Sequence, residues 1–264
     1  MAWIRRHLLL FAAVSVLAYM LIPNLVVAVF SFNDPVGRYN YTWTSFSTDA
    51  WLNPCGAAGI CDSLGLSLRI GLIASLVATA LGAMIAFALG RYRFRARSTT
   101  NLLIFMPMAT PEVVMGSSLL TLFLMMGVPS GAQAVTIAHI MFCISFVVVA
   151  VKARVATLDP RLEEAAADLG ANPFQTFLRV TFPLAFPGIL AGALLAFSLS
   201  FDDYIITNFN ASPSSITFPM YVWGAAQRGA PVQVNVIGTM MFLIALTVVV
   251  LGQLLSNRRE RARA

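Results

Sequence analysis

The sequence is poor in charged residues and in the side-chain patterns that carry catalysis. Charged residues make up 11% of its 264 residues, against about 25% in an ordinary soluble domain, so that class is excluded. The three cysteines and two histidines show no metal-site spacing. No Ser/His/Asp order suggests a nucleophile, and no G-x-x-x-x-G-K-[ST] phosphate loop is present. We therefore predict no catalytic residue, metal site or cofactor in this chain; if ATP powers the protein, another chain hydrolyses it.

Long apolar runs occupy most of the chain instead. Apolar residues make up 59% of the sequence, and six runs reach the length of about 20 residues that a helix needs to cross a bilayer. The first run, of about 25 residues, exceeds the core of about 7 to 15 residues in a signal peptide, so we interpret it as a retained span. The prediction is an all-α membrane protein with a single domain, residues 1–264. Its spans 1 to 6 are 8–32, 63–90, 99–127, 132–155, 183–208 and 232–255.

Basic residues cluster on one side of these spans. Short cytoplasmic loops carry the excess of lysine and arginine in membrane proteins. The net charge of +6 is therefore interpreted as a topology signal, and binding to nucleic acid is not expected. Both termini and the segments after spans 2 and 4 are predicted to face the cytoplasm. The residues concerned are Arg5, Arg6, Arg91, Arg93, Arg95, Arg97, Lys152, Arg154, Arg161, Arg179, Arg258, Arg259, Arg261 and Arg263.

The segment between spans 4 and 5, residues 156–183, is polar and carries helix signals. Asp159 is a good N-cap with Pro160 at the first helical position, and two glutamates follow where the helix dipole favours anions. Gly170 supplies a left-handed helix end. Asn172 then starts a second helix, with proline next and an amide three positions on. The segment is predicted to fold as a helix, a turn and a second helix.

This segment resembles the EAA loop of bacterial ABC importer permeases. The family pattern is E-A-A, three residues, G, nine residues and I-x-L-P, and residues 164–183 match its spacing throughout. Val180 and Phe182 depart from it mildly, since both remain apolar. In that family the loop is the cytoplasmic coupling element that docks into a cleft on the ATPase subunit. The resemblance assigns ATPase coupling to Glu163, Glu164, Ala165, Ala166, Asp168, Gly170 and Pro183.

Acidic residues at membrane depth form a second candidate site. A carboxylate there costs about 2.5 to 3.5 kcal/mol on insertion scales, so such residues usually face a bundle interior, a partner or a water-filled path. Glu112 follows Pro111, with Pro107 one turn earlier, and we expect span 3 to be bent or broken at these prolines. Glu112 is therefore a candidate for the substrate pathway. The alternative is a structural carboxylate that caps the second half of the broken helix.

Asp202 and Asp203 lie in span 5 and are further candidates for the substrate pathway. Neighbouring side chains on a helix point about 100° apart, so one carboxylate can meet a substrate while the other bonds a neighbouring helix. Tyr204 adds an aromatic face that can stack on a cation. The alternative is that the acid pair marks the membrane interface.

The cysteines and the intramembrane histidine carry weaker signals. Cys55 and Cys61 share the outer loop, residues 33–62, and can form a small disulfide loop in an oxidising compartment. Cys143, in span 4, is interpreted as a small packing residue. His139, in the same span, is interpreted as a satisfied polar group at a helix contact. The aromatic residues of the outer loop suit the membrane-interface belt, or they help to receive a binding protein.

Several segments together resemble the spermidine/putrescine permeases of the PotC type. That resemblance implies a type I ABC importer permease fold with cytoplasmic termini in the bacterial inner membrane. The chain departs from the family after span 5, where Asn210, Ala211, Ser212 and Pro213 replace a Gly-Pro-Gly turn. The matching segments are SFN at 31–33, RYRFR at 91–95, PEVVMG at 111–116, HIMFCISFVVV at 139–149, LEEAAADLGA at 162–171 and LSFDDY at 199–204.

The same resemblance implies the function, partners and substrate contacts. The chain is expected to be the permease subunit of an ATP-driven importer of polyamines, with polyamine contacts at Glu112, Asp202 and Asp203. Its expected partners are a second permease of the PotB type, a dimer of PotA-type ATPases that holds ATP and Mg, a PotD-type binding protein, and membrane lipid. The alternatives are an importer of an amino acid, an opine or ferric iron, a secondary transporter or channel subunit, and a structural membrane protein.

Overall fold

The computed structural model describes residues 2–261, and helices dominate it. Arg263 of the basic tail lies outside the described residues, as do the side chains of Arg5, Arg6, Arg258, Arg259 and Arg261. Over residues 2–261 there is no β-strand, only a bridge between Asn33 and Phe46. The elements are α1 Ala2–Phe30, α2 Asp49–Leu52, α3 Ile60–Arg91, α4 Arg97–Ala109, α5 Glu112–Met125, α6 Ala132–Ala156, α7 Arg161–Asp168, α8 Pro173–Thr176, a π turn Phe177–Thr181, α9 Phe182–Asp202, α10 Ile205–Asn210, α11 Phe218–Arg228 and α12 Val232–Arg261.

Among residues 2–261, five helices are long and apolar enough to cross a membrane, and a broken pair supplies a sixth candidate span. In this pair, α4 and α5 meet at 108°. The break expected near the two prolines of span 3 is confirmed, and it lies at Thr110 and Pro111. Pro111 has no backbone N–H and disfavours the helical conformation at the residue before it. Thr110 accordingly has an extended backbone with ψ of 131°.

The second helix of the predicted cytoplasmic segment is continuous with span 5. Together α8, the π turn and α9 form one helix of 30 residues, Pro173–Asp202, so the expected boundary at Pro183 is absent. A proline inside a helix lacks a donor and crowds the carbonyl four residues earlier. The wider π turn directly before α9 relieves this crowding, since the N–H of Phe182 bonds the carbonyl of Phe177, five residues back. Span 5 also ends earlier than predicted, at Asp202.

The chain divides into two compact units, and residues 63–220 form one of them. Its core lies along α6, whose side chains Val147 and Val151 are fully buried. The most extensive helix contact joins α6 to α9. A Cβ on Gly188 would collide with the side chain of Arg154, and one on Gly192 would lie 3.4 Å from Val147. Small residues on α9 thus let two helix backbones approach closely, as is common in membrane proteins.

The second unit joins the residues before and after that segment, with α1 packed along α12. Its outer loop is folded back on the SFN segment. Asn33 is 2% exposed, and its Oδ1 accepts the backbone N–H of Thr44 at 2.8 Å. The indole N–H of Trp51 donates to Ser31 Oγ at 3.1 Å, and the Phe32 ring stacks on Trp51 at 5.2 Å. The SFN segment therefore orders the loop.

Cys55 and Cys61 are joined by a disulfide, with their Cα atoms 5.4 Å apart. It closes the short segment that leads into α3. Cys143 is a free, buried thiol, and its Sγ donates to the carbonyl of Ala196 at 3.4 Å. Cys143 thus packs between α6 and α9.

Candidate functional site

The helix signals of the polar segment are present in α7. The Asp159 carboxylate accepts the backbone N–H of Arg161 at 3.0 Å, which satisfies a free donor at the helix start. Gly170 has φ of +83°. The backbone N–H of Ala171 then bonds the carbonyl of Ala166 at 3.0 Å, which is the six-residue bond of a Schellman motif. The predicted left-handed stop at Gly170 is confirmed.

The start of α8 is a reciprocal capping box. The N–H of Gln175 donates to Asn172 Oδ1 at 2.8 Å, and the N–H of Asn172 donates to Gln175 Oε1 at 3.1 Å. The resulting α7–α8 hairpin, residues 159–176, exposes three large apolar side chains. Leu162, Leu169 and Phe174 are 47%, 89% and 70% exposed.

The two adjacent glutamates of α7 have different environments. Glu163 Oε1 bonds Arg91 Nη2 at 2.8 Å and accepts the Thr181 hydroxyl at 2.7 Å. Glu164 is exposed, and its side chain makes no hydrogen bond or ion pair with the part of the chain whose side chains are described, residues 7–254. The family resemblance predicted the same role for both, whereas the structure turns Glu163 into the protein and Glu164 to the surface. Of the other predicted coupling residues, Ala166 is half-buried, and Ala165, Asp168, Gly170 and Pro183 are exposed.

Asp203 lies in a buried polar network that links α9, α10 and α6. Its side chain is 4% exposed, and its Oδ2 accepts the backbone N–H of Thr207 at 2.7 Å and the Thr207 hydroxyl at 2.8 Å. His139 Nε2 lies 3.2 Å from the same oxygen, and His139 Nδ1 lies 2.7 Å from Ser200 Oγ. His139 is thus a satisfied polar group at a helix contact, as predicted. Of the two roles expected for the acid pair, Asp203 has the bond to a neighbouring helix.

Asp202 has the opposite environment. It is the last residue of α9, its side chain is exposed, and it has no hydrogen-bond or ion-pair partner in the described part of the chain. The last carbonyls of a helix lack partners and carry the negative end of its dipole. A cation at this position would meet a free carboxylate and a helix C-terminus together. Tyr204, two residues on, is half-buried.

Glu112 is the first residue of α5, directly after the 108° bend. It is exposed, and its side chain makes no hydrogen bond within residues 2–261. The alternative role as a hydrogen-bonding cap is therefore absent, although a negative charge in the first turn still suits the helix dipole. The structure thus leaves Glu112 and Asp202 as two open carboxylates.

The short helix α10 is one of the elements that were not predicted from the sequence, as are α2 and α11. Asn210 Nδ2 donates to the carbonyl of Gly116 in α5 at 3.3 Å, and the N–H of Gly131 donates to the carbonyl of Asn210 at 2.9 Å. A Cβ on Gly116 would lie 2.8 Å from the Phe209 ring, so α10 and α5 are in close contact. The available signal was Asp203, a favoured N-cap residue. Within the described residues, no group of three or more His, Cys, Asp or Glu side chains is arranged to hold a metal.

Comparison with protein families decides between the transport classes left open by the sequence. A family model described as the binding-protein-dependent transport system inner membrane component matches residues 78–261. The chain belongs to this family. The permease is also 33% identical over 247 residues to the spermidine/putrescine transport system permease protein PotC of Escherichia coli K12, covering 94% of this chain and 93% of that protein.

Two further relatives have similar coverage. The PotC protein of Haemophilus influenzae is 33% identical and aligns over 93% of the permease and 95% of its own length. The putrescine transport system permease protein PotI of Escherichia coli K12 is 33% identical, over 93% of the permease and 89% of its own length. The alignments therefore run over nearly the full length of the permease and of each relative.

Solved structures support the same fold. A chain of a bacterial ABC transporter that imports the acidic polysaccharide alginate superposes with a TM-score of 0.66 at 17% identity, covering 96% of each chain. A chain of the MetNI methionine ABC transporter superposes with a TM-score of 0.59 at 14% identity, over 78% of the permease and 96% of its own length. At these identities the likeness concerns the fold, and it confirms the all-α ABC importer permease fold.

The permease is therefore a transport subunit of an ABC importer in the inner membrane, and ATP hydrolysis belongs to a separate chain. Membership of this family implies an ATPase and a substrate-binding protein as partners. The alternatives of a secondary transporter, a channel subunit and a purely structural membrane protein are excluded by it.

Proposed function

We propose that this permease carries polyamines, such as spermidine or putrescine, across the inner membrane. The observation that carries the proposal is the open carboxylate of Asp202 at the C-terminal end of α9. An alkylammonium group there would gain from the carboxylate and from the helix dipole. Glu112, the second open carboxylate, suits the other positive end of an extended polyamine. The relatives named as spermidine/putrescine and putrescine permeases support this substrate class.

The expected assembly contains a second, related permease of the PotB type, a dimer of PotA-type ATPases and a PotD-type binding protein. ATP and Mg are bound by the ATPases. The α7–α8 hairpin lies on the cytoplasmic side with both chain termini, and it docks into a cleft of the ATPase. Its exposed residues Leu162, Leu169 and Phe174 supply apolar contact area, and Glu164 supplies a polar contact. ATP-driven closure of the dimer then moves the hairpin and switches access from the outside to the inside.

The substrate proposal is tested by charge removal in the complete importer reconstituted in liposomes. We expect Asp202→Asn to raise the KM for putrescine uptake by about tenfold, since a hydrogen bond to a charged group is worth about 1.5 to 3 kcal/mol. Asp49→Asn, which removes an exposed carboxylate of the outer loop, is the matched control and should leave KM unchanged. Equal KM values for wild type and Asp202→Asn would contradict a role of Asp202 in substrate binding.

A further inference from the structure

One carboxylate oxygen connects three elements at the base of the α7–α8 hairpin. Glu163, in the first turn of α7, bonds Arg91, the last residue of α3, and also Thr181, the last residue of the π turn. We call these three residues the Arg91 link. It joins the hairpin to two long membrane helices, α3 and the Pro173–Asp202 helix.

The Arg91 link is less exposed than an ordinary surface ion pair, and its carboxylate has a second hydrogen-bond donor. The side chains of Arg91 and Glu163 are 20% and 31% exposed, and Thr181 is 5% exposed. A carboxylate that accepts both a guanidinium N–H and a hydroxyl has two charge-assisted bonds, which are shorter and stronger than neutral ones. Such a contact holds its three elements in one geometry.

The end of α3 is itself fixed next to this contact. Arg97 Nε donates to the carbonyl of Leu89 at 3.1 Å, which caps the last turn of α3. The Phe87 and Phe177 rings pack edge to face at 5.3 Å, so α3 also touches the π turn. A displacement of α7 at Glu163 would therefore move the ends of α3 and α9 rather than a loose side chain.

We propose that Glu163 is a positioning residue that transmits the movement of the hairpin to α3 and α9 through Arg91 and Thr181. Glu164, its exposed neighbour, faces the ATPase instead. This inference rests on the coupling role proposed for the hairpin. The two adjacent glutamates then have different partners: Glu164 contacts the ATPase, and Glu163 contacts the membrane helices through Arg91 and Thr181.

The test is charge reversal in the complete importer, with ATPase and binding protein present. The variants are Arg91→Glu, Glu163→Arg and the double exchange, and the matched control is Arg93→Glu, an exposed arginine without a partner in the described residues. Three quantities are measured: ATPase subunit retained on the purified permease, ATP hydrolysed, and labelled putrescine transported per ATP. The first reports docking, and the ratio reports transmission.

We expect each single reversal to retain the ATPase but to lower the putrescine transported per ATP by about fivefold or more, the lower end of typical coupling between sites. The double exchange should restore most of this ratio, and Arg93→Glu should leave it unchanged. An unchanged ratio in the single variants would overturn the inference, as would a double exchange that restores neither the ratio nor assembly. Failure of the wild-type permease to retain any ATPase would instead refute the proposed coupling function.

Discussion

Replacing Asp203 by alanine should destabilise the membrane domain, although its neighbour Asp202 can be replaced at little cost in stability. Asp203 Oδ2 caps α10 through the N–H and hydroxyl of Thr207 and lies 3.2 Å from His139. Asp203→Ala removes all three contacts. It removes the acidic partner of His139, which is 1% exposed and keeps the Thr207 hydroxyl 3.0 Å from its Nε2.

The magnitude follows from two contributions. Loss of an N-cap residue costs about 0.5 to 2 kcal/mol, and loss of a hydrogen bond to a charged group, here between the Asp203 carboxylate and His139, costs about 1.5 to 3 kcal/mol. Together they amount to about 3 kcal/mol. For a domain of this size, about 1 kcal/mol shifts Tm by roughly 2 to 4 °C, so we expect Asp203→Ala to lower the midpoint by about 6 to 12 °C.

The assay is thermal unfolding of the purified permease in detergent at one fixed heating rate, followed by the reaction of a fluorogenic thiol dye with Cys143, a buried free thiol in the same unit as Asp203. Asp202→Ala is the matched control because the exposed Asp202 has no partner among the described residues, and its Tm should change by less than about 2 °C, as for most surface changes. Equal Tm shifts for the two variants would refute the assignment of Asp203 as the buried cap and Asp202 as the open carboxylate.

Three further predictions concern other parts of the chain. Gly170→Asp should abolish ATP-driven uptake while the permease stays in the membrane, because φ of +83° disfavours a side chain and an anion at a helix C-terminus opposes the dipole. Gly127→Asp, with φ of +73° and open space, has the same backbone strain and should keep uptake. Equal losses of uptake in the two variants would contradict a coupling role of Gly170. Asn33→Ala should speed protease cleavage of the outer loop, because it removes a buried side chain that makes several hydrogen bonds to the loop. Asn24→Ala, at an exposed asparagine, should not change the cleavage rate. Equal cleavage rates for the two variants would show that Asn33 does not order the loop. Gly188→Ala should lower Tm in detergent, because overpacking against Arg154 costs about 1 to 3 kcal/mol. Gly65→Ala, in open space, should leave Tm unchanged. An unchanged Tm for Gly188→Ala would contradict close packing of α6 and α9.

Local chemistry made several elements predictable from the sequence. Asp159, Gly170 and Asn172 act on backbone groups within a few residues, so their caps could be inferred without tertiary structure. The break at Pro111 follows from the missing donor of a single residue. The length of the apolar runs indicated the helical membrane fold.

Contacts between distant residues were beyond prediction from one sequence. Arg91 and Glu163 are far apart in the chain, and the sequence pattern related Arg91 to the predicted topology rather than to an ion pair. Span 5 ends directly before Asp203, whose carboxylate contacts His139 and Thr207 on other elements. The π turn before Pro183 is likewise a response of the packed helix to a proline. The coupling role of the hairpin and the substrate contacts remain predictions of the family resemblance.

The central claim is tested most directly by uptake into liposomes that contain the assembled importer. The permease is reconstituted with its second permease and the ATPase, and the binding protein is added outside the liposomes. ATP or a non-hydrolysable analogue is enclosed in the lumen, and the labelled putrescine that enters the lumen is counted. We expect putrescine uptake to require both ATP and the binding protein, and we expect unlabelled spermidine to inhibit it. Putrescine uptake at the same rate without hydrolysable ATP would contradict an ATP-driven importer. An assembly that transports another solute but no polyamine would contradict the proposed substrate.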